Sequence, residues 1–296
     1  MAERVLVTGA SGFLGRALLP PLLAAGCAVH ATARRPAAVP GVTWHAADLL
    51  RGEGGALVAA LRPTILIHAA WYVAHGRFWT APQNADWAAG TLALARGFAA
   101  AGGRRFIGIG SCAEYAVLPA DPLPWPESRA IAPATAYGRA KAAAAAGLAA
   151  IPGIETAWAR PFLLFGPGEH PDRLVPAVAR ALLAGREAAC ASGRPVRDLV
   201  STGFAGRAIA ALALSGVVRP VNIGAGTGWA IGDVARRLGA LAARPDLVAL
   251  GRLPDRADEP PWMVADTARL RQEVGFTEAF DLDDALRAAL AWWRQA

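Results

Sequence analysis

Lysine is nearly missing from this chain: of 30 basic residues only Lys141 is a lysine, and the rest are arginines. Cysteine is scarce too. Cys27, Cys112 and Cys190 are odd in number and far apart, which excludes a disulfide framework and a CxxC metal pair and fits a reducing, cytoplasmic setting. No stretch of about 18 residues is continuously apolar and uncharged as a membrane helix requires. The longest candidate, 142–159, is mostly alanine and is broken by Gly147, Pro152 and Gly153. The start, Met1-Ala2-Glu3-Arg4, lacks the apolar core of a signal peptide and the character of a transit peptide. A basic tail is also lacking. The arginines fall singly or in pairs (Arg34-Arg35, Arg104-Arg105, Arg236-Arg237), so the net charge of +7 reads as ordinary solvated surface with a preference for small anions. No nucleic-acid partner and no membrane association are expected.

What is present is globular: 296 residues, 54% hydrophobic and 18% charged. Short apolar runs at 4–8, 28–32, 42–46, 65–68, 105–110 and 156–160 alternate with alanine-rich segments of helical length at about 54–62, 84–101 and 137–150. That alternation implies βαβ crossovers and a parallel sheet covered on both faces, hence an α/β doubly wound Rossmann fold. Past Arg160 the texture changes. Helices near 174–184 and 204–214, a strand at 221–223, proline-rich connections around 254–261 and a last helix at about 282–294 suggest a smaller α/β substrate-binding lobe over 166–296. The dinucleotide-binding part is then 1–165, with segments near 204–225 returning to it.

Thr8-Gly9-Ala10-Ser11-Gly12-Phe13-Leu14-Gly15 follows the first strand and opens the first helix. Three glycines there permit a tight turn, close approach of backbone to a pyrophosphate and close helix-to-strand packing. The helix start adds free N–H groups and a positive dipole end. The spacing is GxxGxxG, and Gly9, Ser11, Gly12, Phe13, Leu14 and Gly15 are the candidate phosphate-binding residues. Strand two ends Thr32-Ala33-Arg34-Arg35, without the acid that holds a free ribose in NAD sites. Arg34 and Arg35 therefore favour the 2′-phosphate of NADP, with NAD as the other possibility. Asp48 after the third strand is placed either for the adenine end or for solvent.

Tyr137-Gly138-Arg139-Ala140-Lys141 opens a long helix, and positions four apart share one face. A phenol beside an ammonium suits proton transfer to an oxygen whose carbon exchanges hydride. Free tyrosine titrates near ~10, so a nearby lysine charge is expected to bring it down. Ser111, at the end of the strand Phe106–Gly110, is placed to hydrogen-bond the same oxygen, or else to cap a turn. Ser111, Tyr137 and Lys141 form the candidate catalytic set. A lone lysine falling at random among 30 basic positions would land on this one about one time in thirty.

With these motifs the chain resembles the extended short-chain dehydrogenase/reductase family of nucleotide-sugar epimerases, dehydratases and ketoreductases. Thr8–Gly15 resembles its TGxxGxxG, Ala47-Asp48-Leu49 its adenine-contacting turn, and Ile67-His68-Ala69-Ala70 its HxAA strand end. Arg160–Pro167 resembles RxxNxYGP, Arg197-Asp198-Leu199-Val200 resembles RDF(V/I), and Val221–Gly226 resembles YNIGSG. The resemblance implies cofactor contacts at Asp48, Leu49, Ala69, Ala70, Tyr137, Lys141 and Pro161. It further implies a nucleotide-sugar substrate, a pyrophosphate contact at Arg197, a second phosphate contact at Arg256, and a homodimer. Trp71, Tyr72, Phe78 and Trp79 either wall the sugar pocket or pack as core; Trp71, Cys112 and Arg173 are carried as substrate-side candidates, with His170 and Arg173 either meeting substrate or solvated.

Departures narrow the activity. Family 4,6-dehydratases carry an Asp-Glu pair after the catalytic hydroxyl residue, where this chain has Cys112 and Ala113. Leu163 replaces the asparagine of RxxNxYGP, and Trp87-Ala88-Ala89-Gly90-Thr91 stands where NVxGT is common. The resemblance thus implies an NAD(P)-dependent oxidoreductase, foremost an NDP-4-keto-hexose reductase, with a 4-epimerase or a non-catalytic dinucleotide sensor as alternatives. No metal is expected.

Overall fold

The chain is described from a computed structural model covering residues 2–118, 122–256 and 259–296. Its centre is a parallel sheet of β1 (Arg4–Thr8), β2 (Ala28–Ala33), β3 (Val42–Ala46), β4 (Ile65–His68), β5 (Arg105–Ile109), β6 (Glu155–Pro161) and β7 (Arg219–Ile223). The strand order is β7-β6-β5-β4-β1-β2-β3. This is the doubly wound α/β sheet that the alternating runs predict. Every residue of β4 and β5 is buried, because helices cover both faces.

One face meets α1 (Gly15–Ala24) and α6 (Thr202–Leu214), where Val5, Val7, Leu18, Phe204 and Ile209 share a core. The other meets α2 (Glu53–Leu61), α3 (Gln83–Ala100) and α4 (Ala136–Ala149), where Leu6, Val58, Leu94 and Leu148 do the same. Val5-Leu6-Val7 therefore feed alternate faces, as the two-residue period of a strand requires. Residues 202–223 return to this sheet. A Cβ on Gly206 would lie 2.2 Å from the Ala17 carbonyl oxygen, so α6 rests directly on α1, and β7 pairs with β6 with Asn222 opposite Arg160.

A second core joins α5 (Leu174–Leu183), α7 (Ile231–Leu241) and, beyond the short α8 (Ala268–Gln272), α9 (Leu282–Trp293), through Val178, Leu182, Leu238, Leu286 and Leu290. Helix α7 falls in a stretch unassigned from sequence, although Ile231, Val234, Ala235 and Leu238 recur at helical spacing. The stretch 193–200 divides into short strands: Val196–Arg197 pairs with Trp229–Ala230 and Trp262–Met263, and Leu199–Ser201 pairs with Leu163–Phe165. Within the proline-rich connection 254–261, residues 257 and 258 lie outside the described residues.

Not all the arginines are solvated. Arg105, Arg160 and Arg197 are buried. Arg105 spends its guanidinium on the carbonyls of Leu212, Ala213 and Val217 around the end of α6, and on Glu155. A rigid fork of five donors suits the otherwise unpaired carbonyls of a helix end. Among the described residues no helix is long and apolar enough to cross a membrane, and no group of three or more metal-ligating side chains is gathered.

Candidate active site

In the order above, β1 lies between β2 and β4, so the chain leaves it in both directions and opens a crevice at the carboxyl edge. The glycine loop sits there. Gly9 has φ +66°, and a Cβ on it would meet the Ala70 backbone nitrogen at 2.6 Å. A Cβ on Gly15 would lie 2.1 Å from the Gly9 carbonyl oxygen. The loop is thus folded so closely on itself and on the end of β4 that side chains are excluded at both positions. No side chain caps the start of α1; the Arg16 and Ala17 N–H groups bond the Gly12 and Leu14 carbonyls, and the positive end of the helix faces the loop. A dinucleotide pyrophosphate fits that cradle. Arg34 and Arg35 are exposed immediately beyond β2, and Pro161 is buried at the end of β6. Asp48 caps the turn Leu49–Arg51 by accepting from the Leu50 N–H at 3.1 Å.

Ala69 and Ala70 follow β4, which is pinned by His68. Its Nδ1 lies 2.7 Å from the Thr8 hydroxyl and its Nε2 2.9 Å from the Thr91 hydroxyl. Thr91 gives its hydrogen to the Trp87 carbonyl, so Nε2 carries the imidazole proton and Nδ1 accepts from Thr8. Burial, and secondarily the Lys141 charge, hold His68 down at about 3, so it is a neutral brace.

Ser111 opens the turn after β5. Its hydroxyl accepts from the Ala113 N–H at 3.1 Å, while Glu114 accepts from the Ser111 N–H at 2.8 Å, a reciprocal capping box. The capping arrangement is therefore formed, and the same side chain also hydrogen-bonds Tyr137. Glu114 is fully buried, held by the Trp158 indole at 2.9 Å and the Arg160 guanidinium at 2.8 Å. Arg160 continues to the Tyr115 hydroxyl at 3.1 Å, and Tyr115 donates to Asn222 at 2.7 Å. This buried chain behind Ser111 was not assigned from sequence. One signal was available: the chain has two asparagines, Asn84 and Asn222, and both prove to be buried nodes.

Tyr137 and Lys141 lie on one face of α4 and are both buried. The Tyr137 ring is boxed edge-on by Phe78, Trp79 and Trp71 at 4.9, 5.6 and 6.5 Å between centroids. This aromatic wall is packed on the phenol itself. Here the structure corrects an expectation. Burial raises the Tyr137 phenol above its ordinary value, and the Ser111 hydrogen bond only partly opposes this. The Lys141 ammonium makes its closest contacts elsewhere, 2.6 Å to the Ile109 carbonyl and 3.6 Å above the Trp71 ring, with the Tyr137 ring centroid 5.8 Å away. Lys141 itself is lowered to about 7 by burial, against the opposing pull of Glu114.

The substrate-side candidates are placed in different ways, and of the three arginines only Arg173 acts on Tyr137. Arg173 acts on Tyr137 electrostatically and is bound to the buried Glu169 at 2.7 Å. Exposed Arg256 and Arg173 both act on His75, whose ring stacks on His170 at 4.3 Å. Arg197 is buried near Cys112 and already paired with Glu259 at 2.8 Å. The structure gives Cys112 a packing role: its thiol lies 3.5 Å from the Met263 sulfur beside Tyr115, Trp125 and Phe162, and burial pushes it up to about 12. Asp198, next to Arg197, accepts from the Ala225 and Gly226 N–H groups at 2.9 Å each, tying the RDLV and VNIGAG segments together.

A family model described as "NAD dependent epimerase/dehydratase family" matches residues 5–224. A dTDP-glucose 4,6-dehydratase of Streptomyces griseus is 29% identical over 133 residues, which is 44% of this chain and 40% of that protein. The match therefore spans less than half of that relative's length. Among solved structures, MoeE5 in complex with UDP-glucuronic acid and NAD is 25% identical over 99% of each chain, with TM-score 0.83. TunA, an NAD-dependent NDP-hexosamine 5,6-dehydratase of tunicamycin biosynthesis, is 26% identical over 99% of this chain and 98% of its own, with TM-score 0.83.

Proposed function

The chain belongs to the NAD dependent epimerase/dehydratase family, and from that premise we propose that it reduces a nucleotide-linked 4-keto-hexose. The observation that carries this is the convergence of Ser111, Tyr137 and Lys141 at the carboxyl edge of the sheet, beside the glycine cradle. Tyr137 is high in pKa and protonated at neutral pH, as the acid of a reduction must be. The nicotinamide dinucleotide, when bound, supplies the hydride. Tyr137 then gives its proton to the carbonyl oxygen, Ser111 holds that oxygen by a second hydrogen bond, and Lys141 contributes positive charge beneath them. The aromatic box of Trp71, Phe78 and Trp79 keeps water from the phenol.

The relatives include dehydratases, yet the acids of that chemistry are replaced by Cys112 and Ala113. Glu114 is the nearest carboxylate, and it is turned into the core on Arg160 and Trp158. This favours reduction over elimination of water. Arg34 and Arg35, with no acid at the end of β2, favour NADP; MoeE5 is bound to NAD, which is the second choice. Arg173, Arg197 and Arg256 supply cationic contacts for the substrate diphosphate. The cell compartment is the cytoplasm, and the assembly is a dimer through the helices flanking the sheet.

The test is cofactor turnover with a panel of NDP-4-keto-hexoses. Stoichiometric oxidation of NADPH is expected with at least one of them. Inversion of a sugar centre without net consumption would instead make the chain a 4-epimerase, and neither outcome with any substrate would remove the catalytic reading. Parallel titrations with NADPH and NADH decide the cofactor.

A further inference from the structure

Lys141 is buried in a place poor in compensation. Its ammonium has three hydrogens, and the carbonyl of Ile109 takes one at 2.6 Å. The nearest carboxylate, Glu114, is already engaged by Ser111, Trp158 and Arg160. A desolvated ammonium so placed is strongly biased toward losing its proton. What lies against it instead is an aromatic face. The Nζ stands 3.6 Å from the centroid of Trp71, against 5.8 Å for Tyr137 and 6.0 Å for Trp158.

The indole is not free to turn away. Its N–H donates to the Asn84 side-chain oxygen at 2.9 Å. The Asn84 amide nitrogen donates in turn to the carbonyls of Phe78 at 2.7 Å and Ala81 at 2.9 Å. Asn84 is buried in the first turn of α3, and these three bonds use both of its amide hydrogens and hold its oxygen on the indole. It therefore fixes the indole plane and ties it to the loop carrying Phe78 and Trp79.

We propose that Trp71 is a positioning residue for Lys141: its indole face, locked by Asn84, holds the ammonium beneath the reacting centre and keeps it charged. Cation–π attraction is strongest where water is excluded, which is the situation here. The titratable groups facing the ammonium are His68 from the end of β4, Glu114 from the turn after β5, its partner Arg160 from β6, and Tyr137 one turn back on α4. His68 is neutral, and Glu114 pulls from within its own ion pair, so beside the Ile109 carbonyl the Trp71 face is the close contact that favours the charged form. The catalytic consequence rests on the reductase reading; the electrostatic one does not.

The lone lysine makes the experiment direct. Labelling with 15N-lysine gives a single Nζ resonance, whose midpoint is read by titration without substrate or cofactor. In Trp71→Leu, which keeps apolar bulk but removes the ring, the midpoint is expected to fall by about one unit, a tenfold change in protonation. In Trp71→Phe, which keeps a ring face, the fall should be smaller. The Lys141 methylene protons should also lose an upfield ring-current shift in Trp71→Leu. Should Trp71→Leu fail to fold, Asn84→Ala takes its place: the indole remains but is unlocked, and the midpoint should again fall. An unchanged midpoint in a folded Trp71→Leu or Asn84→Ala chain overturns the assignment.

In the enzyme assay the alkaline limb of kcat should move to lower pH in Trp71→Leu with KM unchanged. A change confined to KM would make Trp71 a mere wall of the substrate pocket. Absence of activity with every sugar would remove the reductase reading and leave the resonance titration to decide Trp71.

Discussion

The carboxylate of Glu114 meets the guanidinium of Arg160 at 2.8 Å with both groups buried, and the same carboxylate holds the backbone N–H of Ser111. The proposed catalytic hydroxyl is therefore mounted on a buried ion pair. Removing one member of such a pair strands the other charge, at a cost of ~3–5 kcal/mol. Arg160→Met should lower the free energy of urea-induced unfolding by about that amount. A change within ~0.5 kcal/mol would show that Glu114 needs no partner there.

Tyr137 and Lys141 are separable by chemistry. Tyr137→Phe keeps the ring inside its aromatic box and removes only the hydroxyl, so kcat should fall by about 10²–10⁴-fold while the cofactor dissociation constant stays within a few-fold. Lys141→Arg keeps the charge, yet a planar guanidinium cannot occupy the compact site between the Ile109 carbonyl and the Trp71 face. It should cost most of the activity. Full activity in Lys141→Arg would mean that charge alone suffices.

Glu169 supplies a pH signature. Burial pushes its carboxyl up to about 7, against the opposing pull of Arg173 and the Gly166 N–H. The folded chain thus retains a proton that the unfolded chain has released between about pH 4.5 and 7, and through that window this group's contribution to stability falls as pH rises. Glu169→Gln removes the difference. Urea midpoints at pH 5 and pH 8 should therefore show a smaller loss toward pH 8 in Glu169→Gln than in the wild-type chain. Equal losses would assign the pH dependence elsewhere.

Arg197 is paired with Glu259 at 2.8 Å and with the Val196 carbonyl at 2.8 Å. A diphosphate using this guanidinium competes with a carboxylate that is about one-third exposed. Glu259→Gln should tighten binding of the nucleoside diphosphate by about threefold or more, equivalent to ~0.7 kcal/mol of removed competition. Calorimetric titration measures it. Weaker binding in Glu259→Gln would instead mean that Glu259 orients Arg197 for the ligand.

The sequence alone determined the sheet, the helices that cover it and the placement of the motif residues. Strand runs such as Ile65–His68, the helix opening at Tyr137 and the glycines at 9 and 15 act within a few residues, through periodicity, steric exclusion and turn geometry. Partnership at a distance was decided only by the fold. That Lys141 rests on Trp71 rather than on the phenol, that Cys112 packs on Met263, and that Arg105, Arg160 and Arg197 are buried all depend on contacts between distant segments. Helix α7 lay between these cases, its period legible in Ile231, Val234, Ala235 and Leu238. Local physics limits which backbone a segment can adopt, but burial sets the charge state of a titratable group, and burial is a property of the assembled chain.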